Sequence, residues 1–128
     1  MPTNVNVPFF KPGQDITGYV ADVAIRGKRF VSPVSGGRGG QPHIGPTAAG
    51  APAMGVAGHD QDPGLYVHVN VGGTVPVAAG ADITAGTRVQ AGALGVAVPF
   101  DGTTGVVLGL ATADAASGAA VPVQLNLG

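Results

Sequence analysis

Three histidines and seven aspartates are the groups in this 128-residue chain that could support acid–base or metal chemistry. Neutral imidazoles ligate metals and titrate near physiological pH, so His43, His59 and His68 are the first candidates. Their spacing matches no compact ligand motif, and the alternating apolar pattern around His68 predicts a strand that points this side chain outward. We interpret all three as structural or surface residues, and we predict no catalytic residue, metal ligand or cofactor.

Two other motifs are similar to ligand-binding loops. Residues 59–64 (HDQDPG) resemble the start of a calcium loop, but the chain has no glutamate to close it and Pro63 interrupts it. A turn held by aspartate side chains fits this sequence better. The glycine-rich residues 36–40 resemble a phosphate cradle or an RGG tag, yet no Gly-Lys-Ser/Thr follows and Arg38 is a single charge. We predict a loop there.

The composition indicates a turn-rich β protein. The chain has 23 Gly and 11 Pro, while 45% of its residues are hydrophobic and 10% are charged, unlike a disordered chain. The absence of cysteine excludes disulfides and thiolate chemistry. A net charge of −1 argues against a dedicated nucleic-acid binder. Without a leader-like segment or an apolar run of roughly 18 residues, we predict a soluble protein made in a cytoplasm, with no membrane partner.

The sequence contains two internal echoes that predict a repeated strand–turn–strand unit. Residues 21–30 resemble residues 81–89, with one extra residue before the glycine of the first copy. Residues 55–57 (GVA) recur as residues 109–111 (GLA), and the same offset relates Asp60 to Asp114 and Gly64 to Gly118. Both copies supply turns and apolar strand positions. The predicted structural turn residues are Gly27, Asp60, Gly64, Gly86, Asp114 and Gly118.

Short alternating segments separated by glycine turns predict a small barrel or sandwich. The predicted strands are residues 14–20, 28–31, 65–71, 74–77, 87–89, 96–98, 106–108 and 121–127. Gly72-Gly73 and Asp101-Gly102 are typical hairpin turns. Residues 111–116 could form one helical turn at most.

Two segments of the chain, residues 1–13 and residues 32–53, are predicted to be irregular. Residues 1–13 read as an extended arm, because prolines at three positions disfavour helix, and Phe9 and Phe10 lie on it. Residues 32–53 form a Gly/Pro-rich excursion, which we interpret as a surface loop or an interface strap. Residues 14–128 are predicted to form a single β domain.

An ordered series of short motifs resembles the phage capsid cement, or head decoration, family. The series runs through residues 12–17 (PGQDIT), residues 21–23 with Gly27, residues 55–57 and the phrase Asp82-Ile83-x-x-Gly86-x-x-Val89. Residues 108–125 are similar to the C-terminal strand pair of that family, so the resemblance covers most of residues 12–128. The Asp-Ile-x-x-Gly phrase is also similar to SAF domains, which share a β-clip style of fold.

The resemblance implies a small all-β protein, barrel or β-clip-like, that binds the outside of an icosahedral shell as a homotrimer and reinforces it. The implied partner is the major capsid protein and the implied location is the virion exterior. The arm residues Pro8, Phe9, Phe10 and Lys11 are the expected capsid contact. The alternative is a SAF-like module that binds a small ligand or carbohydrate, and a third class is an enzyme using His and Asp on a β scaffold.

Overall fold

The computed structural model describes residues 16–35 and 42–126. The predicted arm and the glycine-rich residues 36–40 lie outside these described residues. The described part of the chain forms ten β-strands and one short 3₁₀ turn. In chain order these are β1 (Ile16–Ala21), β2 (Phe30–Val34), β3 (His43–Pro46), β4 (Gly55–Ala57), β5 (Tyr66–Asn70), β6 (Thr74–Ala78), β7 (Arg88–Ala91), the 3₁₀ turn (Ala93–Gly95), β8 (Ala97–Pro99), β9 (Gly109–Ala111) and β10 (Ala120–Leu125).

The strands form two five-stranded sheets with the same topology. The first sheet closes into a barrel in the order β1-β3-β2-β4-β5. The second has the order β6-β10-β9-β7-β8, and a parallel bridge between Ala79 and Ala97 links its two outer strands. Because of this bridge we call the second sheet the second barrel. β1 pairs with β5 in the first barrel as β6 pairs with β10 in the second. The prediction of an all-β fold built from two repeated strand units is confirmed.

Hydrogen bonding defines which residues of the two units are equivalent. The antiparallel bridge of Ile25 with Gln61 corresponds to that of Ile83 with Ala115, so the first strands are offset by 58 residues (25 to 83) and the later ones by 54 (61 to 115). The echo between residues 55–57 and 109–111 has this second offset. The sequence match between residues 21–30 and 81–89 is wrong by up to two positions, because it aligned Val23 with Ile83. The structural counterpart of Ile83 is Ile25: these two residues are 2% and 3% exposed, whereas Val23 is 46% exposed.

The glycine that opens β4 and β9 has a packing role in both units. A Cβ on Gly55 would lie 2.4 Å from Val69 Cγ1, and a Cβ on Gly109 would lie 2.4 Å from the Gln124 carbonyl oxygen. Strands that cross this closely in a narrow barrel leave no room for a side chain. The recurrence of this glycine in the sequence therefore reflects how tightly each barrel closes.

The two barrels pack together through residues of the first that enter the core of the second. Phe30 of β2 and Val56 of β4, paired across the sheet, are buried with Val77, Leu108 and the rest of the larger core cluster. The smaller cluster fills the first barrel and includes Val31, Ile44, Val67 and Val69. The counterparts of Phe30 and Val56 in the second barrel are Arg88 and Leu110, which are exposed. The two barrels therefore pack head to tail. The equivalent face of the second barrel, which carries Arg88 and Leu110, is exposed.

Several local predictions differ from the structure. β5 pairs with β1 and β4, and β8 pairs with β7, so neither Gly72-Gly73 nor Asp101-Gly102 closes a hairpin. Residues 106–108 are not a strand and residues 111–116 contain no helix. Residues 32–53 contain β3, which completes the first barrel and buries Ile44. The two hairpin errors arose because local turn signals say nothing about which strands pair across the repeat.

A matched pair of glycine substitutions tests the junction between the barrels. Gly73 and Gly95 have φ of +76° and +79°, but only the Gly95 position is crowded, with a Cβ 2.3 Å from the Phe30 carbonyl oxygen. We expect Gly73→Ala to cost about 1 kcal/mol for its left-handed backbone. Gly95→Ala should cost about 3 kcal/mol or more, because the turn must also move off β2. Urea denaturation measures both, and equal losses would show that the 3₁₀ turn does not hold the junction.

Candidate functional site

The three histidines do not converge on one site. The side chain of His43 lies beside Asp22, with 3.3 Å between His43 Nδ1 and Asp22 Oδ1. The rings of His59 and His68 are edge-on at 5.3 Å between centroids. Within the described residues there is no group of three His, Cys, Asp or Glu side chains that could hold a metal.

His59 instead makes two hydrogen bonds to the backbone, one in its own turn and one to β5. Its Nδ1–H donates to the Asp60 carbonyl oxygen at 2.9 Å, and its Nε2 accepts the His68 amide at 3.2 Å. This pattern requires the neutral imidazole with the proton on Nδ1. The corresponding positions in the second barrel are Ala113 and Pro122, and Pro122 has no amide proton that needs an acceptor. His59 therefore has a structural role that the spacing of the histidines did not reveal.

The predicted turn aspartates hold equivalent turns in the two barrels. Asp60 Oδ1 accepts the Gly27 amide at 2.8 Å, and Asp114 Oδ1 accepts the Ala85 amide at 2.7 Å. Because the Asp60 carboxylate is engaged in this way, residues 59–64 form a turn with a local structural role.

The predicted turn glycines lie in the left-handed region. Gly64 and Gly118 have φ of +85° and +91°, and Gly86 has +86°. Their amides donate to Ala21, Ala79 and Ala111 carbonyl oxygens, each at 2.8 Å. In the first barrel the residue equivalent to Gly86 is Lys28, with φ of +61°, and not Gly27.

The second barrel has one further aspartate contact. Asp82 Oδ1 accepts the Ser117 amide at 2.9 Å. The equivalent residues of the first barrel are Ala24, which has no acceptor, and Pro63, which has no amide proton. The donor and the acceptor are absent together, so this turn leaves no unpaired group in either barrel.

Asp101 organises the long loop between β8 and β9. Its carboxylate accepts the amides of Thr103, Thr104 and Gly105 and the Thr104 hydroxyl, at 2.8–3.2 Å. The Thr103 amide, the Thr104 hydroxyl and the Gly105 amide stabilise the charged form and lower the pKa of Asp101 to about 2. The Gln90 side chain accepts the Asp101 amide at 3.1 Å, which ties the loop to β7.

A cleft of about 310 Å³ lies where the two barrels meet, and we call it the junction cleft. Its lining consists of Ala24, Ile25, Arg26, Arg29, Val31, Pro46 and Leu94. The Arg29 Nη1 donates to the Leu94 carbonyl oxygen at 3.3 Å across it. Its apolar floor and two guanidinium groups offer binding chemistry without a nucleophile or a general base.

The sequence analysis did not predict this cleft. Arg26, Lys28 and Arg29 form the densest basic stretch of the chain, and Leu94 stands between Gly92 and Gly95; these were the available signals. The predicted capsid-contact residues Pro8, Phe9, Phe10 and Lys11 lie outside the described residues.

Neighbouring aspartates allow a controlled test of the turn contact. Asp60→Ala removes the acceptor of the Gly27 amide and should lower the free energy of unfolding by about 1–2 kcal/mol. Asp62 is exposed two residues away, and its carboxylate accepts no hydrogen bond within the described residues, so Asp62→Ala should change stability by less than about 0.5 kcal/mol. Thermal unfolding by circular dichroism measures both variants. Equal effects would show that the Asp60 contact does not stabilise the turn.

The pKa of Asp101 predicts how acid acts on the β8–β9 loop. Because its folded pKa is lowered from 3.8 to about 2, its contribution to stability is complete above pH 3.8 and is lost as the pH falls through about 2. Asp101→Asn should lower Tm at neutral pH, and the difference in Tm from the unsubstituted protein should vanish near pH 2. Asp62→Asn is the control. A constant difference from pH 7 to pH 2 would contradict the assignment.

A solved structure is similar to this protein over most of its length. Its structure is similar to the crystal structure of the head fiber gp8.5 N base of bacteriophage phi29, with a TM-score of 0.75 and 26% sequence identity. The alignment covers 88% of this chain and 94% of that one. No curated protein matches the sequence. In the part of the chain that the structure describes, no helix is long and apolar enough to cross a membrane.

The family comparison agrees with this structural likeness. The sequence matches the family described as phage cement protein over residues 11–127, nearly the whole chain. The resemblance noted from short motifs is therefore confirmed, and with it a structural role associated with the phage capsid. This chain belongs to the phage cement protein family.

Proposed function

We propose that this protein binds the outer surface of an icosahedral phage head and stabilises the shell. The observation that carries the proposal is the family match over residues 11–127. The structural likeness to the base of a phage head fiber supports a place on the outside of the head. The binding partner is the major capsid protein, and the contact is one of shape and side-chain chemistry.

The protein attaches as a homotrimer. Exposed apolar side chains remain on both barrels, including Leu65 and Tyr66 at more than half exposure on the first and Leu110 at 39% on the second. We propose that these side chains contact neighbouring copies in the trimer, since interaction sites on small proteins are rich in exposed apolar surface. Repeating one weak contact three times gives tight attachment through effective concentration.

The N-terminal arm supplies one of the capsid contacts. Proline at positions 2, 8 and 12 restricts the arm before docking, which lowers the entropy lost on binding. Phe9 and Phe10 would each contribute about 1.5–3 kcal/mol on burial against the capsid protein.

Heads prepared from a phage that lacks this protein provide the direct test. Adding the full chain should produce threefold density on the outside of the head in electron micrographs. It should also raise the temperature at which the heads release DNA, measured with an intercalating dye. Isolated single copies would exclude the trimer, and an unchanged release temperature would exclude stabilisation.

The same heads test the arm. A chain beginning at residue 12 should melt at the same temperature as the full chain but bind heads at least about tenfold more weakly. Replacing Phe9 and Phe10 by Ala distinguishes the two rings from the length of the arm. Equal binding by all three proteins would exclude the arm as an anchor.

A further inference from the structure

We infer that the junction cleft binds a short segment of the capsid protein in which a carboxylate side chain lies next to a large apolar one. This inference rests on the proposed function and identifies the surface and the partner chemistry for it. The cleft lies near the lower end of the size range of ligand pockets, about 300–1,000 Å³, which suits a few side chains of an extended segment.

Leu94 provides the first argument, because it combines a strained backbone with an exposed apolar side chain. It has φ of +58° and ψ of +28°, a left-handed conformation that costs a leucine about 1–2 kcal/mol, and its side chain is 68% exposed. A glycine at this position would form the same turn without strain. Strained residues that the surrounding structure holds in place cluster at binding and catalytic sites.

The surrounding contacts fix Leu94 in this exposed position. The Gly95 amide donates to the Gly92 carbonyl oxygen at 3.2 Å, and Gly95 lies directly against the Phe30 backbone. The Arg29 guanidinium donates to the Leu94 carbonyl oxygen. Because these contacts hold the backbone of the turn, little backbone entropy is lost when a partner covers the Leu94 side chain.

Charge provides the second argument. Arg26, Lys28 and Arg29 lie together on the turn between β1 and β2, and the equivalent residues of the second barrel are the neutral Thr84, Gly86 and Thr87. The basic set is therefore not required by the fold of the repeat. Among the described residues none of the three cations lies within ion-pairing distance of a carboxylate. The planar guanidinium groups match carboxylates in bidentate geometry.

Asp60 and Asp62 line an adjoining depression that shares Ala24, Ile25 and Arg26 with the cleft, and neither aspartate lines the cleft itself. The Asp60 carboxylate accepts the Gly27 amide. The side of the turn that faces Leu94 consequently presents Arg26 and Arg29 over an apolar floor of Ile25, Val31 and Pro46. That combination is complementary to an acidic residue beside an aliphatic or aromatic one.

Two substitutions test the cleft in the full chain, each with a matched control. Leu94→Gly removes the side chain and relieves the backbone strain, so Tm should stay constant or rise while affinity for undecorated heads falls about tenfold. Its control is Val106→Ala, at an exposed apolar residue of the β8–β9 loop. Arg26→Glu should weaken head binding by about tenfold, most strongly at low salt, and its control is Arg88→Glu on β7.

The outcomes separate this inference from the function on which it rests. If the unsubstituted chain does not decorate heads, the proposed function and the inference both fail. If it decorates heads and Leu94→Gly and Arg26→Glu bind as tightly as their controls, the inference alone fails. A change in sedimentation by Leu94→Gly with unchanged head binding would make the cleft a contact between copies, which also overturns it. Weaker binding by both variants, with normal sedimentation and both controls unaffected, supports the assignment.

Discussion

The burial of Phe30 between the two barrels is the contact on which the rest of the structure depends. Each barrel is closed by strands of only three to six residues, too few to bury a large core alone. The side chains of Phe30 and Val56 project from the outer face of the first barrel into the core of the second. The Lys28 carbonyl oxygen accepts the Ala78 amide at 2.7 Å beside this contact, and the Gly50 amide donates to the Ala91 carbonyl oxygen at 2.8 Å.

The head-to-tail contact explains why two units with the same topology have different surfaces. The face that carries Phe30 in the first barrel carries the exposed Arg88 in the second. A large apolar residue there would be left in water, so a charge at this position keeps the end of the pair soluble. The same asymmetry leaves the turns at the junction free to differ. The neutral turn of the second barrel and the basic turn of the first have equivalent backbones and different chemistry.

The two barrels have the same backbone topology but differ in some of their polar contacts. In two places one barrel has an extra donor together with its acceptor: His59 accepts the His68 amide, and Asp82 accepts the Ser117 amide. In the other barrel both members of each pair are missing, and a proline replaces the donor. A buried or strand-bound amide without a partner costs more than a missing hydrogen bond, so the two positions change together. Chemistry-bearing side chains are thus used to complete turns and strands, which is consistent with a structural role.

The sequence by itself determined the fold class and the repeat. Alternation in residues 65–71 and 121–127 and the recurring Gly-apolar-Ala phrase are local signals, and local signals define strands and tight turns. The family could be recognised for the same reason, because its motifs are turn residues in a fixed order. Tertiary structure decided which strands pair, since Gly72-Gly73 links two barrels and does not join two paired strands. It also decided how residues 21–30 align with residues 81–89. Sequence comparison could not find this register, because the left-handed position held by Gly86 in the second barrel is held by Lys28 in the first. The junction cleft combines residues 24–31, Pro46 and Leu94, which are far apart in the chain. Only the packing of one barrel on the other brings them together, and no local pattern encodes that contact.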